Sequence, residues 1–284
     1  MNNYIKFFLF LFFIGIIFIC LGTLANAYVL RGPHILELMT QKLGKAKGLL
    51  VSQKLVLYDD TQQKIEDELT ETLRYIFPET FRSDILSENV KRIHILSKGD
   101  VLTVIDEKTV DDSENPYNNY KDILLFRSRA LLQSRLSSLG VDIAISSLGR
   151  FEDKISYIIG AQYPNESVSQ IWLDKNTFQP FRWIMRSSTA KISGERLEVR
   201  YFEWHKADNT WYPRRIQFYR NDGLVREIIV QSIVMNPSFS DTLFDIEHLR
   251  SIYPPVSDVP VAQGKKEGMD EVQKTIEDFK KIYE

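Results

Sequence analysis

The side chains with the widest chemical repertoire in this sequence do not gather into a site. His34, His94, His205 and His248 are scattered along the chain, whereas metal centres collect several ligands at short, fixed spacings. Cys20 is the only cysteine, so it can neither close an intrachain disulfide nor build a cysteine zinc cluster. His205 follows Trp204 near a strand end, with no acid or nucleophile at a telling spacing, and is not read as catalytic. The run Asp111-Asp112-Ser113-Glu114-Asn115 offers oxygen ligands of the kind calcium takes, but lacks the EF-hand spacing around a central glycine. A solvated acidic loop is expected there. Asn165-Glu166-Ser167 fits a glycosylation acceptor, a triplet common by chance. HExxH, CxxC, P-loop, GxGxxG and GxSxG patterns are absent. The expectation is a protein that is not an enzyme and that holds neither a cofactor nor a metal.

Aromatic residues are the richer signal. They crowd between Trp172 and Tyr219. In Phe181–Met185, alternation predicts that Phe181, Trp183 and Met185 share one face while Arg182, Ile184 and Arg186 share the other. A curved sheet with such a face can enclose a hydrophobic ligand or simply pack on helices. Residues 182–226 hold ten Lys and Arg against five Asp and Glu. That excess either meets anionic head groups or keeps an outward strand face soluble. The whole chain carries a formal charge of −2, which excludes a general nucleic-acid binder. With 44% hydrophobic and 26% charged residues in 284, it is long enough and apolar enough to bury a sizeable core.

The elements that must position these residues are mostly strands. Pro33–Lys47 has apolar residues at Ile35, Leu36, Leu38, Met39 and Leu43, a helical spacing that starts at a proline, with Gly44 and Gly48 marking its end. Strands are predicted at 49–58, 65–77, 81–86, 92–96 and 101–106, with Ser97-Lys98-Gly99-Asp100 as a hairpin turn. Tyr120–Leu139 is predicted as the longest helix, with Leu124 and Leu131 seven residues apart on one side. Further strands are predicted at 154–162, 168–174, 180–187, 196–205, 214–220 and 224–234, the last two joined by Asn221-Asp222-Gly223. So many consecutive hairpins imply one meandering antiparallel sheet, too wide to stay flat.

The two ends read differently. A short start with Lys6, the apolar run Phe7–Gly22 and Ala25-Asn26-Ala27 form the three-part pattern of a secretory signal peptide, with cleavage expected after Ala27. The alternative is an uncleaved membrane anchor. At the other end, residues 252–268 with Pro254, Pro255, Pro260 and Gly264 read as a linker. Met269, Val272, Ile276, Phe279 and Tyr283 then fall at steps of three and four, an amphipathic helix over 269–284.

One segment is familiar. Gln170-Ile171-Trp172-Leu173-Asp174, followed by Gln179-Pro180-Phe181-Arg182, resembles the apolar-Trp-Leu-Asp…x-Pro-x-Arg hairpin of the LolA-like superfamily of periplasmic lipoprotein and lipid carriers. Trp211-Tyr212-Pro213-Arg214 resembles the strand start that follows it there. The order of elements fits over roughly residues 34–246. The resemblance implies an α+β fold: a single curved antiparallel sheet, an unclosed β-barrel over residues 28–251, with helices on its concave face. It also implies a lid-closing arginine on an early strand, for which Arg74 and Arg82 both qualify. The function it implies is an exported carrier that binds acyl chains of lipoproteins or lipids between the sheet and the Tyr120–Leu139 helix. Leu124, Leu131, Phe181, Trp183 and Met185 are the candidate lipid-binding residues. Such a carrier crosses the periplasm to the outer membrane and meets transport partners at the inner and outer membranes. The alternative is an envelope sensor or scaffold that uses the same fold to bind a protein partner.

Overall fold

The computed structural model describes residues 29–59, 61–65, 69–87, 90–110, 115–186 and 196–255. The predicted signal peptide, the tail helix and all but the first four residues of the predicted linker lie outside them. Thirteen strands form a single antiparallel sheet. The first six are β1 (Gly48–Leu57), β2 (Leu69–Ile76), β3 (Thr80–Leu86), β4 (Lys91–Ser97), β5 (Asp100–Ile105) and β6 (Lys108–Val110). The others are β7 (Ser146–Phe151), β8 (Lys154–Ile159), β9 (Gln170–Asp174), β10 (Pro180–Arg186), β11 (Arg196–Ala207), β12 (Thr210–Arg220) and β13 (Gly223–Met235). The order across the sheet is β6-β5-β4-β3-β2-β1-β13-β12-β11-β10-β9-β8-β7. Two meanders are therefore joined through β1 and β13, and the outer strands β6 and β7 do not meet, so the barrel stays unclosed.

Local chemistry explains the meanders. The β12–β13 turn has φ of 47° at Asn221 and 71° at Asp222, and the β4–β5 turn has 54° at Lys98 and 90° at Gly99. Two left-handed residues in succession give the two-residue turn whose twist suits adjacent strands. Alternation then sorts the side chains. Leu49, Val51, Leu55, Leu73, Tyr75, Ile216 and Phe218 are buried on the inner face, in matched register across β2, β1, β13 and β12.

Three helices cover this inner face. α1 (Gly32–Leu43) buries Ile35, Leu36, Met39 and Leu43 and carries a proline in its first turn. It stops at Gly44, φ 102°, where an added Cβ would come 2.0 Å from the Asn209 carbonyl oxygen. That approach to the β11–β12 turn needs glycine. The segment that crosses from β6 back to β7 is not the single helix predicted at 120–139. It is a 3₁₀ turn (Pro116–Lys121), a four-residue α2 (Asp122–Leu125) and, after a break, α3 (Arg129–Ser138). Phe126 is extended (φ −77°, ψ 95°), and Ser128 is extended as the residue before α3. The Arg127 side chain supports the break by donating from Nε to the Leu124 carbonyl at 2.8 Å.

The outer face has its own cover, which the sequence reading did not foresee. α4 (Ile246–Ile252) lays Ile246 and Leu249 on Ile93, Ile95, Leu102 and Val104, residues of β4 and β5 that point away from the inner side. Arg82 anchors the approach to α4 by donating to the Leu243 carbonyl at 2.7 Å. Residues 253–255 then run beside β6, with the Thr109 amide donating to the Pro254 carbonyl. The first part of the predicted linker is thus paired with the sheet edge.

Candidate ligand-binding cleft

The inner face is closely filled along its length. Ile123, Leu124 and Leu125 of α2 are all fully buried, as are Leu132 and Leu136 of α3. At one end, where the β4–β5 hairpin stands opposite the crossing segment, a cleft of about 330 Å³ remains. His94, Leu96 and Val101 line it from the hairpin, and Asn118, Lys121 and Phe126 from the crossing segment.

Each polar group at the cleft is set by a local cause. Asn115 starts the 3₁₀ turn by accepting the Tyr117 amide on its Oδ1 at 2.9 Å, an N-cap for which asparagine is well suited. The turn delivers Lys121 beneath the cleft. The Lys121 ammonium donates to the Asn118 carbonyl at 2.8 Å and lies 4.9 Å from the centre of the Phe81 ring. Burial lowers its pKa to about 8, with Asp122 opposing that shift. Asp122 itself accepts from Arg135 Nε at 2.6 Å, and Arg135 also donates to Asn119 Oδ1 at 3.1 Å. This ties α3 to the start of α2. His94 Nδ1 is 2.8 Å from Thr103 Oγ1.

A second polar cluster lies deeper in the sheet. Glu71 accepts from Gln53 Nε2 at 2.6 Å and from Ser83 Oγ. Gln53 Nε2 also lies 3.1 Å from the Tyr120 hydroxyl. Burial pushes the Glu71 carboxyl above the usual carboxylate range, against the two hydrogen bonds and the charges of Arg92 and Arg226. Glu71 holds Tyr120 and the crossing segment on the sheet through Gln53.

The candidate lipid-binding residues are not gathered at the cleft; none of the five lines it. Leu124 is fully buried on α2, but Leu131 sits half-buried on α3, and the break at Phe126–Ser128 keeps them from sharing one helix side. Trp183 and Met185 do point to the inner face, paired with Val199 and Leu197. Phe181 does not join them. The β9–β10 register shifts between Pro180 and Arg182, and this turns Phe181 into an outer-face cluster with Ile158, Ala161 and Trp172. Arg182, paired with Trp172, lies over the Phe151 ring at 4.1 Å on that face. The Trp183 indole nitrogen is buried without a hydrogen-bond partner.

Arg74 and Arg82, the two lid-arginine candidates, both face outward and pair with Asp84. Sequence reasoning missed His94 and Lys121. Alternation from Arg92 onward could have placed His94 inward, but nothing in the Asn115–Lys121 stretch announced a buried lysine. Among the described residues, no group of three or more His, Cys, Asp or Glu side chains is arranged to hold a metal, and no helix is long and apolar enough to cross a membrane.

No protein-family model matches the chain, and no curated protein matches it. Solved structures do. A domain from Vibrio parahaemolyticus described as an outer membrane lipoprotein-sorting protein is 9% identical, with a TM-score of 0.53, covering 77% of this chain and 97% of that one. A DUF1329 family protein from Desulfovibrio piger is 12% identical, with a TM-score of 0.54 and the same coverage. A LolA-superfamily protein from Nitrosomonas europaea is 10% identical over 78% of this chain, with a TM-score of 0.48. At such identities the likeness is one of fold: this chain shares the half-barrel of the Vibrio parahaemolyticus and Desulfovibrio piger structures.

Proposed function

We propose that this protein is an exported carrier that takes an acyl chain of a lipid or lipoprotein between the inner face of its sheet and the crossing segment 115–139. The observation that carries this reading is the half-barrel itself. Its apolar inner face is closed by short helical pieces rather than by a second sheet, and a cleft already opens where they part from the β4–β5 hairpin. In the closed form, α2 occupies the space a chain would fill. A ligand enters as α2 lifts from the sheet. The unpartnered indole N–H of Trp183 supports the reading, because a buried donor without an acceptor costs about 1–3 kcal/mol and an ester carbonyl could satisfy it. Each buried methylene of a ligand adds roughly 0.8 kcal/mol. The leader at 1–27 directs the chain to the periplasm in this account, and no covalent chemistry is required.

The reading is tested with a fluorescent fatty acid. Saturable binding, displaced by unlabelled lipid and weakened at least about tenfold when a cysteine pair locks α2 to the sheet, is the expected result. Binding that the lock leaves unchanged would remove α2 from the path. A stable complex with an envelope protein, with no lipid probe bound, would instead favour the scaffold alternative.

A further inference from the structure

We propose that the cleft between the β4–β5 hairpin and the crossing segment receives the anionic head group, a phosphate or a carboxylate, of the amphiphile this protein carries, with Lys121 as its counter-ion. This rests on the carrier reading and names the ligand class for it. Lys121 is 6% exposed, yet its ammonium makes one hydrogen bond, to the Asn118 carbonyl. No carboxylate among the described residues forms an ion pair with it. An ammonium has three donors, and two of them meet no acceptor among the described residues. A buried cation is costly unless it is paired, and the two acids whose charges reach it, Asp122 and Glu71, are hydrogen-bonded to other groups. Asp122 is held by Arg135, and Glu71 by Gln53 and Ser83.

The rest of the lining suits an amphiphile. Asn119 accepts from Arg135 on its Oδ1, which leaves its NH₂ group as a donor, and Asn118 supplies a second amide at the cleft. Leu96, Val101 and Phe126 bring apolar surface to the same opening. A head group on Lys121 therefore has a dry route for the start of its chain. A site for a free anion has no need of such a wall.

Free phosphate shares the head-group chemistry, so the test separates the two sources. The mature protein is titrated calorimetrically with lauroyl lysophosphatidic acid, with monolaurin, which differs only in lacking the phosphate, and with inorganic phosphate. Lysophosphatidate is expected to bind at least about tenfold more tightly than monolaurin, the scale of a charge-assisted hydrogen bond. Lys121→Gln should bring that ratio close to one, and Lys121→Arg should keep it. Equal binding of the two lipids by the parent overturns the head-group site while leaving the carrier intact. Binding of neither lipid overturns the carrier and the head-group site together. Inorganic phosphate binding as tightly as lysophosphatidate makes this a free-anion site and overturns the lipid source. A full preference retained in Lys121→Gln removes Lys121 from the role. If Lys121→Gln does not fold, Lys121→Met takes its place, with the same two outcomes.

Discussion

Charged residues that the sheet buries give the sharpest tests at the scale of single residues. Arg182 is 2% exposed on the outer face. It donates to Glu198 at 2.9 Å and to Glu166, and Arg196 and Arg200 also pair with Glu198. Burial works against the charge on Glu198, but the hydrogen bonds and charge of Arg182 and then Arg200 hold its carboxyl below the usual range. Arg182→Ala removes the most buried partner of Glu198, which keeps only the more exposed Arg196 and Arg200, and is expected to cost about 3 kcal/mol, read by urea unfolding. A loss under about 1 kcal/mol would show that the network is solvated.

Glu71 behaves oppositely. Its raised pKa means the folded chain keeps a proton that the unfolded chain releases near about pH 4.3. The stability this group supplies is complete below that pH and is lost as pH rises through the raised value. Glu71→Gln should therefore lose less melting temperature than the parent as pH rises above about 4.3. Parallel profiles would contradict the burial account. The alternation of Leu69, Leu73 and Tyr75 already put Glu71 on the apolar side of its strand, so this buried acid was legible. Lys121 was not, because a 3₁₀ turn has no sequence period as clear as that of a strand or an α-helix.

Elements were legible where the pattern was regular over many residues. β1, β4, β5, β9 and β11–β13 follow their alternation and their Gly, Asn and Asp turns, and β10 follows it only beyond the register shift at Pro180–Arg182. β7 escaped notice because Ser146-Ser147-Leu148-Gly149 has few apolar residues; Gly149 leaves room for the Tyr163 ring, which an added Cβ would approach to 2.6 Å. β6 is too short to show a period. The crossing segment was misread for a different reason. Its apolar residues keep a helical spacing straight through Phe126-Arg127-Ser128, and the hydrogen bond from Arg127 to the Leu124 carbonyl, which no spacing announces, accompanies the break. Burial gives Leu124 and Leu131 different weights. Leu124→Ala, in the filled inner face, should cost about 2–5 kcal/mol, while Leu131→Ala should cost about 1 kcal/mol or less, both by thermal unfolding. Equal costs would mean that Leu131 is packed as deeply as Leu124. α4 went unread because residues 246–252 are too few to show an amphipathic period, although the apolar outward positions Ile93, Ile95, Leu102 and Val104 required some cover.

For the whole molecule, the division of labour follows from the sheet's two faces. The outer face is fixed in place by α4, by the paired 253–255 segment and by the Arg182 network. The inner face is closed by a crossing segment whose α2 is four residues long, too short to be a stable helix alone. An outer face held by these contacts and an inner face covered by short helical pieces suit the proposed carrier, because its ligand must enter without unfolding the sheet. The most direct measurement is native mass spectrometry of the protein purified under mild conditions from its own envelope. The account predicts a chain beginning at Tyr28 together with a second, heavier species whose added mass, released in organic solvent, is a lipid or lipidated peptide. A single species at the bare mass of the chain, from preparations that still bind no added lipid, would contradict it.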